Sequence, residues 1–279
     1  MNSGVQFAEI EWEGQPVRLE FSWVGVSEAR AASAPLMVFL HEGLGSLSMW
    51  KDFPARLCQT LGWRGLVYSR PGYGASTPRP AGHAWRPDFM HRQALEVLPA
   101  FLAAVGVDPK SERPWLFGHS DGGSISLLYA ARCPHAVAGL VVVAPHIFVE
   151  DVSLRSIEKA REVYQTTDLR QRLARYHDDP DSAFWGWNDI WLHPDFKSWN
   201  IERELSSMVA PVLAVQGLDD EYGTLAQIRG IARQVPHTEL LELPDCGHSP
   251  HKDQPDRLIQ GVQAFVQRLS LPITNRRLT

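Results

Sequence analysis

The chain has 279 residues, 44% of them hydrophobic and 21% charged, a balance that suits a globular protein with a sizeable core. Its formal net charge of −5 argues against nucleic acid or an anionic membrane as a partner. No apolar run reaches the ~18 residues of a membrane span and no signal peptide opens the chain, which predicts a cytoplasmic protein. Three widely spaced cysteines and the lack of a nucleotide fingerprint or metal motif predict no cofactor and no metal site.

The N-terminal part of the chain predicts a β-hairpin followed by buried strands. VQFAEIEW (5–12) and VRLEFSWVG (17–25) alternate apolar and polar side chains on either side of the turn-prone EGQP. PLMVFLHEG (35–43) and GLVYSRPGYG (65–74) are apolar runs that end in glycine-containing loops. Such runs are typical of strands that are buried on both faces of a parallel sheet.

Strands and helices alternate in the rest of the chain, which predicts an α/β fold with a doubly wound, mostly parallel sheet. Asp88 is expected to cap a helix that is kinked at Pro99. Further strands are expected at PWLFGHS (114–120), GLVVVAPH (139–146), VLAVQGLDD (212–220) and TELLELPDCGH (238–248). Further helices are expected at 121–133, near 223–234 and at 254–270.

Residues 151–208 interrupt this alternation with helical patterns and no convincing strand. We interpret them as a helical cap inserted into a core domain of residues 1–150 and 209–279, lying over the sheet edge where ligands bind in open α/β folds. Four tryptophans crowd this segment: Trp185, Trp187, Trp191 and Trp199. They either hold a flat apolar group of a substrate or join the cap helices to the sheet.

The segment GHSDG (118–122) follows a predicted strand and precedes a predicted helix, the context of a nucleophile elbow. A turn this tight tolerates only small residues two positions before and after the nucleophile. Gly118 and Gly122 satisfy this rule for Ser120, whereas His119 violates it for Asp121, so Ser120 is the predicted nucleophile. Asp121 is expected to contribute its backbone N–H to an oxyanion hole at the helix N-terminus.

An acid and a histidine are expected at later strand ends, in the chain order serine, acid, histidine. VLAVQGLDD offers Asp219 and Asp220, of which we favour Asp220, and the last strand leads to His248, with His251 as a nearby competitor. His119 is expected to point away from the site into the fold and to have a structural role. The loop HEGLGS (41–46) is expected to supply the second oxyanion donor, the N–H of Gly43 or alternatively of Leu44.

With HEGLGS, SRPGYGAS, GHSDGG, GLDD and GHSPH in this order, the chain resembles the α/β-hydrolase family over essentially its whole length. The resemblance implies a Ser120–Asp220–His248 triad, an oxyanion hole at Gly43 and Asp121, and a cap after the sixth strand. Within the family the chain is similar to carboxylesterases of the pimeloyl-ester type and to C–C hydrolases of meta-cleavage products. It departs from the pattern at Glu42, where the family usually has glycine.

The leading hypothesis is a serine hydrolase, a monomer or homodimer, that cleaves a small carboxylic ester through an acyl-enzyme on Ser120. The alternatives are a C–C hydrolase, an acyl thioesterase and a hydrolase-fold receptor without turnover. Ser249, where C–C hydrolases commonly have tryptophan, disfavours the first of these. Candidate substrate-binding residues are Glu42, Leu44, His146, Trp187, Trp191 and Tyr222, with Arg70 and Asp189 as unranked additions.

Overall fold

The computed structural model describes residues 4–26, 33–80 and 82–270, which build an eight-stranded, mostly parallel sheet flanked by helices, as predicted. The strands are β1 (Gln6–Trp12), β2 (Gln15–Gly25), β3 (Leu36–Leu40), β4 (Arg64–Tyr68), β5 (Trp115–His119), β6 (Gly139–Val143), β7 (Val212–Gly217) and β8 (Thr238–Leu243). Their order is β1-β2-β4-β3-β5-β6-β7-β8. β2 pairs antiparallel with β1 and β4, and the remaining pairs are parallel.

The predicted hairpin is confirmed, and its turn explains the tight connection between β1 and β2. Glu13 and Gly14 both have positive φ, 55° and 70°. Two consecutive residues with positive φ are the mark of a type I′ turn, whose twist matches that of the flanking strands.

The helices cover both faces of the sheet. They are α1 (Phe53–Leu61), α2 (Phe89–Arg92), α3 (Leu98–Ala104), α4 (Pro109–Glu112), α5 (Asp121–Arg132), α6 (Asp151–Thr166), α7 (Leu169–Leu173), α8 (Pro180–Trp191), α9 (Ala226–Gln234), α10 (Pro250–Asp253) and α11 (Pro255–Ser270). Helices α1, α4 and α10 were not predicted from the sequence.

Two hydrophobic cores lie on opposite faces of the sheet. Along β3, Val38 and Leu40 belong to one core, whereas Met37 and Phe39 belong to the other. Successive side chains of a strand point to opposite faces, so a strand covered on both sides must be apolar at every position. This explains the unbroken apolar run of β3.

The helical segment before β5 differs from the expectation at its N-terminus, and an irregular turn lies next to the proline at which a kink was predicted. Asp88 precedes α2, but its side chain makes no capping hydrogen bond and lies 3.7 Å from Arg86. A π-helical turn, Gln93–Val97, separates α2 from α3, and Pro99 lies in the first turn of α3. Proline cannot donate the hydrogen bond that a continuous α-helix requires, so the chain passes this point with a wider turn.

The segment between β6 and β7 holds α6, α7 and α8 and two short 3-10 helices, and residues 151–208 contain no strand. α6 packs against α8, and both contact α7. Among the described residues, no helix combines the length and the apolar character needed to cross a lipid bilayer.

Candidate active site

Ser120 lies in the sharp turn between β5 and α5, with φ 52° and ψ −120°. Two glycines make this turn possible. A Cβ on Gly118 would lie 2.2 Å from the carbonyl oxygen of Gly122, and a Cβ on Gly122 would lie 2.0 Å from that of Leu40. These close contacts explain why the turn needs small residues two positions before and after Ser120, as predicted. The strained backbone therefore holds the Ser120 side chain at the carboxyl end of the sheet.

Three side chains that are far apart in the sequence form one hydrogen-bonded row. His248 Nε2 lies 3.0 Å from Ser120 Oγ, and His248 Nδ1 lies 2.8 Å from Asp220 Oδ1. An ionised carboxylate can only accept, so Nδ1 carries the proton and Nε2 is free to accept from the serine hydroxyl. A row with this geometry can transfer the serine proton to the imidazole.

The charges in this row stabilise each other. Burial lowers the pKa of His248, but the hydrogen bond and negative charge of Asp220 outweigh burial, and the pKa is raised overall. Burial raises the pKa of Asp220, but His248 and the Tyr222 amide outweigh it and leave the pKa lowered. Asp220 is thus held as a carboxylate and His248 as a stronger base than an ordinary histidine.

Asp220, and not Asp219, faces the histidine. Asp220 Oδ1 also accepts from the amides of Tyr222 and Gly223 at 2.8 and 3.2 Å, and Oδ2 accepts from Gln216 Nε2 at 3.0 Å. Asp219 is exposed. Of the two acids left open by the sequence, the structure brings Asp220 to the site.

Two further histidines near the site, His119 and His251, have different surroundings. The His251 ring packs against Trp50, with ring centroids 4.8 Å apart. His119 Nε2 donates to the carbonyl oxygen of His248 at 2.7 Å, and the ring lines the pocket over Ser120. The ring is fully buried and packs on Trp50 and His251, which agrees with the expectation of a structural residue inside the fold, although it lies beside the His248 loop. Its ring bonds the backbone of the His248 loop, a contact between residues 129 positions apart.

The peptide bond between Glu42 and Gly43 is held by three donors. The Glu42 carbonyl oxygen accepts from His41 Nδ1 at 2.7 Å, Arg70 Nη2 at 2.9 Å and the Gly45 amide at 3.1 Å. His41 Nε2 accepts from the Arg70 amide at 3.0 Å, which requires the tautomer with its proton on Nδ1. Burial and the Arg70 charge keep the pKa of His41 well below its usual value, so the ring stays neutral.

Fixing this carbonyl also fixes the neighbouring amide. In a trans peptide the N–H points opposite to the C=O, so the Gly43 N–H is turned away from the three donors. Within residues 4–26, 33–80 and 82–270, neither the Gly43 amide nor the Asp121 amide donates to a backbone carbonyl. Gly43 lies on the pocket wall beside Ser120.

A buried ion pair lies behind this loop. The Arg70 side chain is fully buried, with Nη2 3.9 Å from Asp121 Oδ2. Asp121 Oδ1 accepts from Trp191 Nε1 at 3.1 Å. Burial raises the pKa of Asp121 to about 6, against the opposing charge of Arg70. The sequence predicted a role for Asp121 only through its amide, whereas in the structure its carboxylate links Arg70 to helix α8.

A pocket of about 110 Å³ opens over Ser120 and His248. All six residues predicted to bind substrate line it: Glu42, Leu44, His146, Trp187, Trp191 and Tyr222. Ile157 and Ser249, which the sequence argument did not select as binding residues, line it as well. Asp189 does not; it is exposed, with its Oδ1 3.0 Å from Arg161 Nη2.

The four clustered tryptophans divide into two groups. Trp187 and Trp191 line the pocket. Trp185 packs edge-on against Phe184, and Trp199 stacks on Phe196. The Trp187 indole covers Gly43 so closely that a Cβ there would lie 2.2 Å from Nε1. Trp187 and Trp191 are thus placed to contact a substrate, whereas Trp185 and Trp199 pack against other rings of the same segment.

Comparison with known proteins identifies the family. The model of the alpha/beta hydrolase family matches residues 37–260. The chain belongs to the α/β-hydrolase family. This confirms the resemblance drawn from the motifs.

Relatives of this α/β hydrolase include enzymes that act on different substrates. The sn-1-specific diacylglycerol lipase ABHD11 of Mus musculus is 25% identical over 263 residues, which cover 84% of this chain and 82% of the lipase. The 2-succinyl-6-hydroxy-2,4-cyclohexadiene-1-carboxylate synthase of Serratia proteamaculans is 21% identical over 265 residues, covering 84% and 94%.

Solved structures share the fold of this α/β hydrolase. An esterase from Thermogutta terrifontis matches with a TM-score of 0.71 at 17% identity and covers 96% of this chain and 100% of its own. The enol-lactonase from Burkholderia xenovorans LB400 matches with a TM-score of 0.70 at 20% identity, covering 94% and 100%.

Proposed function

We propose that the protein is a serine hydrolase that cleaves a small carboxylic ester through an acyl-enzyme formed on Ser120. The observation that carries the proposal is the row in which Ser120 Oγ and Asp220 Oδ1 lie 3.0 and 2.8 Å from the two ring nitrogens of His248. Serine is a weak nucleophile until a neighbouring base accepts its proton, and this row supplies such a base.

In the first half of the reaction, His248 Nε2 accepts the hydroxyl proton while Ser120 Oγ attacks the ester carbonyl carbon. The resulting imidazolium keeps its Nδ1–H bond to Asp220, which remains a carboxylate. His248 then gives the Nε2 proton to the leaving alkoxide oxygen, the C–O bond breaks, and the acyl group remains on Ser120.

In the second half, water attacks the acyl carbonyl while His248 Nε2 accepts one of its protons. Collapse of the tetrahedral intermediate breaks the bond to Ser120 Oγ, which takes the proton back, and the carboxylic acid leaves. The same three side chains therefore serve both halves.

The amides of Gly43 and Asp121 are the proposed oxyanion donors. Both lack a backbone acceptor within the described ranges, and Asp121 opens helix α5, whose dipole favours negative charge at this end. Three donors hold the carbonyl of the Glu42–Gly43 peptide, whereas nothing comparable orients the Leu44 amide. This supports Gly43 over Leu44.

Residues 151–208 are proposed to act as a cap over this site, with residues 1–150 and 209–279 as the core. Trp187 on α8 covers Gly43, and Trp191 bonds the Asp121 carboxylate. One helix thus reaches both sides of the proposed oxyanion hole and narrows the pocket.

A neutral ester fits the pocket best. Among the described residues that line the pocket, Glu42 is the one carboxylate, and none is an arginine or a lysine. A substrate with its own carboxylate would therefore meet no opposite charge on the pocket wall. Esterase, lipase and lactonase relatives support an ester bond, and Ser249 after His248 continues to disfavour the C–C hydrolase alternative.

A substrate panel tests this choice. Purified protein is assayed with phenyl acetate and phenyl butyrate, with butyryl-CoA, and with a vinylogous 1,5-diketone ring-cleavage product. We expect the largest kcat/KM for a phenyl ester. A higher kcat/KM for the thioester or for the diketone would replace the carboxylesterase proposal with the corresponding alternative.

Arg70→Met is expected to lower kcat by about tenfold to a hundredfold with little change in KM, because the Glu42–Gly43 peptide loses one of its three donors. It also leaves the Asp121 carboxylate buried without its cation, which is expected to destabilise the fold. The double variant Arg70→Met/Asp121→Asn removes that charge, and we expect it to recover Tm without recovering kcat.

Arg64→Met is the matched control. Arg64 is a half-buried arginine paired with Glu112, and it lies at the start of β4, whereas Arg70 follows the end of the same strand. Its kcat should stay close to that of the wild type. A wild-type kcat in a folded Arg70→Met variant would contradict the role of Arg70 in orienting the peptide.

The pH dependence of kcat/KM should report His248. The base must be neutral to accept a proton, so activity is expected to rise with pH through the pKa of His248, which is raised above its ordinary value. Removing Asp220 removes the main raising influence and leaves burial, so the residual activity of Asp220→Ala should have its acid limb at lower pH. An acid limb that stays in place in that variant would contradict this assignment.

A further inference from the structure

One side chain on the pocket wall has hydrogen-bonding groups that the protein does not use. His146 follows β6, is 2% exposed and lines the cavity together with Ser120 and His248. Within the described residues, neither of its ring nitrogens takes part in a hydrogen bond, and Nδ1 is buried without a partner. Buried polar groups are normally paired, so an unpaired ring on a pocket wall points to a ligand.

Comparable histidines in this chain are paired. His41, His119 and His177 are all buried, and each has at least one ring nitrogen bonded to a backbone group. His251 also has an unpaired Nδ1, but its ring packs on Trp50 and Phe53 and does not line the pocket. His146 thus combines an unpaired ring with access to the cavity.

The backbone around His146 holds the ring in place. The His146 amide donates to Ser124 Oγ at 3.1 Å, and its carbonyl accepts from the same hydroxyl at 2.6 Å. Ala144, two residues earlier, has a positive φ of 46°, an unfavourable conformation for a residue with a side chain. Strain of this kind is often retained where it positions a functional group.

The ring is uncharged, and its neighbours orient it. It lies edge-on to Trp191 with centroids 4.8 Å apart, and 5.8 Å from the His248 ring. Burial, with the nearby His248, lowers the pKa of His146 to about 3. A neutral imidazole offers one donor and one acceptor, which suits a hydroxyl or a carbonyl oxygen and gives no attraction to an anion.

Trp187 offers a second unused donor in the same pocket. Its partner on α8, Trp191, donates its Nε1–H to Asp121 and is therefore occupied. Trp187 Nε1 has no hydrogen-bond partner among the described residues, lies over Gly43 and lines the same pocket as His146. The pocket therefore contains two uncharged side chains whose N–H groups are available to a ligand.

We propose that His146 and the indole N–H of Trp187 form a polar subsite that binds an uncharged oxygen, a hydroxyl or a keto group, on the acyl portion of the substrate. This inference rests on the proposed function, since it assigns the specificity of that same pocket. A keto oxygen requires only the donors, whereas a hydroxyl also uses the acceptor nitrogen of His146.

The test compares phenyl butyrate with phenyl esters that carry a hydroxyl or keto oxygen on the second, third or fourth carbon of the same acyl chain. We expect the wild type to prefer at least one oxygenated ester by about tenfold in kcat/KM, the value of one good hydrogen bond. In His146→Phe this ratio should fall towards one, and Trp187→Phe should reduce it in part. His146→Gln, which keeps a donor and an acceptor, should retain part of it.

His237→Phe is the matched control, because His237 bonds the Ala210 carbonyl away from the pocket. It should leave the ratio unchanged. A wild type without preference, a ratio that survives in His146→Phe, or an equal loss on all esters in both His146 variants would overturn the subsite.

A binding measurement without turnover distinguishes failure of the subsite from failure of the proposed ester hydrolysis. Calorimetry on Ser120→Ala with butyramide and its oxygenated analogues reports the subsite even if the wild type hydrolyses no ester. Tighter binding of an oxygenated amide that is lost in Ser120→Ala/His146→Phe supports the subsite. Equal binding of all the amides overturns it.

Discussion

Replacing Ser120 with alanine is expected to lower kcat for ester hydrolysis by about 10⁵- to 10⁶-fold, the size of effect seen when a catalytic serine is removed. Without Oγ there is no atom to form the acyl bond and no hydroxyl from which His248 Nε2 could accept a proton. Alanine keeps the Cβ, so the strained turn at φ 52° is unchanged and Tm should stay close to that of the wild type.

Ser126→Ala is the matched control for this prediction. Ser126 is a buried serine on α5, the helix that follows Ser120, and its hydroxyl donates to the Gly122 carbonyl at 2.7 Å. Its removal should leave kcat within a few-fold of the wild type. If folded Ser120→Ala hydrolysed the best ester at more than a tenth of the wild-type rate, Ser120 would not be the nucleophile.

Replacing Asp220 with alanine is expected to lower kcat by about 10⁴-fold. The imidazole of His248 would lose the acceptor on Nδ1 at 2.8 Å, and with it both the tautomer that exposes Nε2 to Ser120 and the charge that stabilises the imidazolium. The amides of Tyr222 and Gly223 would also lose their acceptor, so some loss of Tm is expected.

The neighbouring acid provides the control. Asp219 is exposed and directly precedes Asp220, so Asp219→Ala makes the same chemical change one position away. We expect it to keep nearly wild-type kcat and Tm. The reverse pattern, with Asp219→Ala inactive and Asp220→Ala active, would mean that the loop after β7 has a different arrangement in the working enzyme.

The fold was predictable from the sequence because its main signals are local. The apolar run of β3 reflects burial on both faces, and the alternation in β1 and β2 reflects a hairpin at the sheet edge. The glycines around Ser120 are required by contacts within the same turn and with Leu40. Each of these patterns lies within a few consecutive residues and has one dominant physical cause.

Predictions about the site were weaker where they depended on contacts between distant parts of the chain. Nothing near Arg70 in the sequence indicates that its guanidinium bonds the Glu42 carbonyl, 28 residues away. The bond from His119 to the His248 loop and the bond from Trp191 to Asp121 span 129 and 70 residues. Such pairs form only once the fold brings these distant segments together.

The tryptophans illustrate the same limit. Spacing placed all four in one helical segment, but it did not separate those that face the pocket from those that pack within the segment. Helix α8 and the turns after it present these rings in different directions, and the direction depends on how α8 packs against α6 and α7. The sequence alone shows only that the four tryptophans are close together along the chain.

The central claim is that Ser120 is a nucleophile activated by His248, and covalent labelling with a fluorophosphonate tests it most directly. Attack by Ser120 Oγ would form an O–P bond and release fluoride, with the hydroxyl proton passing to His248. Intact mass spectrometry and peptide mapping should find one adduct on Ser120 in the wild type, none in Ser120→Ala, and slow labelling in His248→Ala. An unlabelled wild type would fit a receptor without turnover, and either that result or an adduct on another residue would contradict the account.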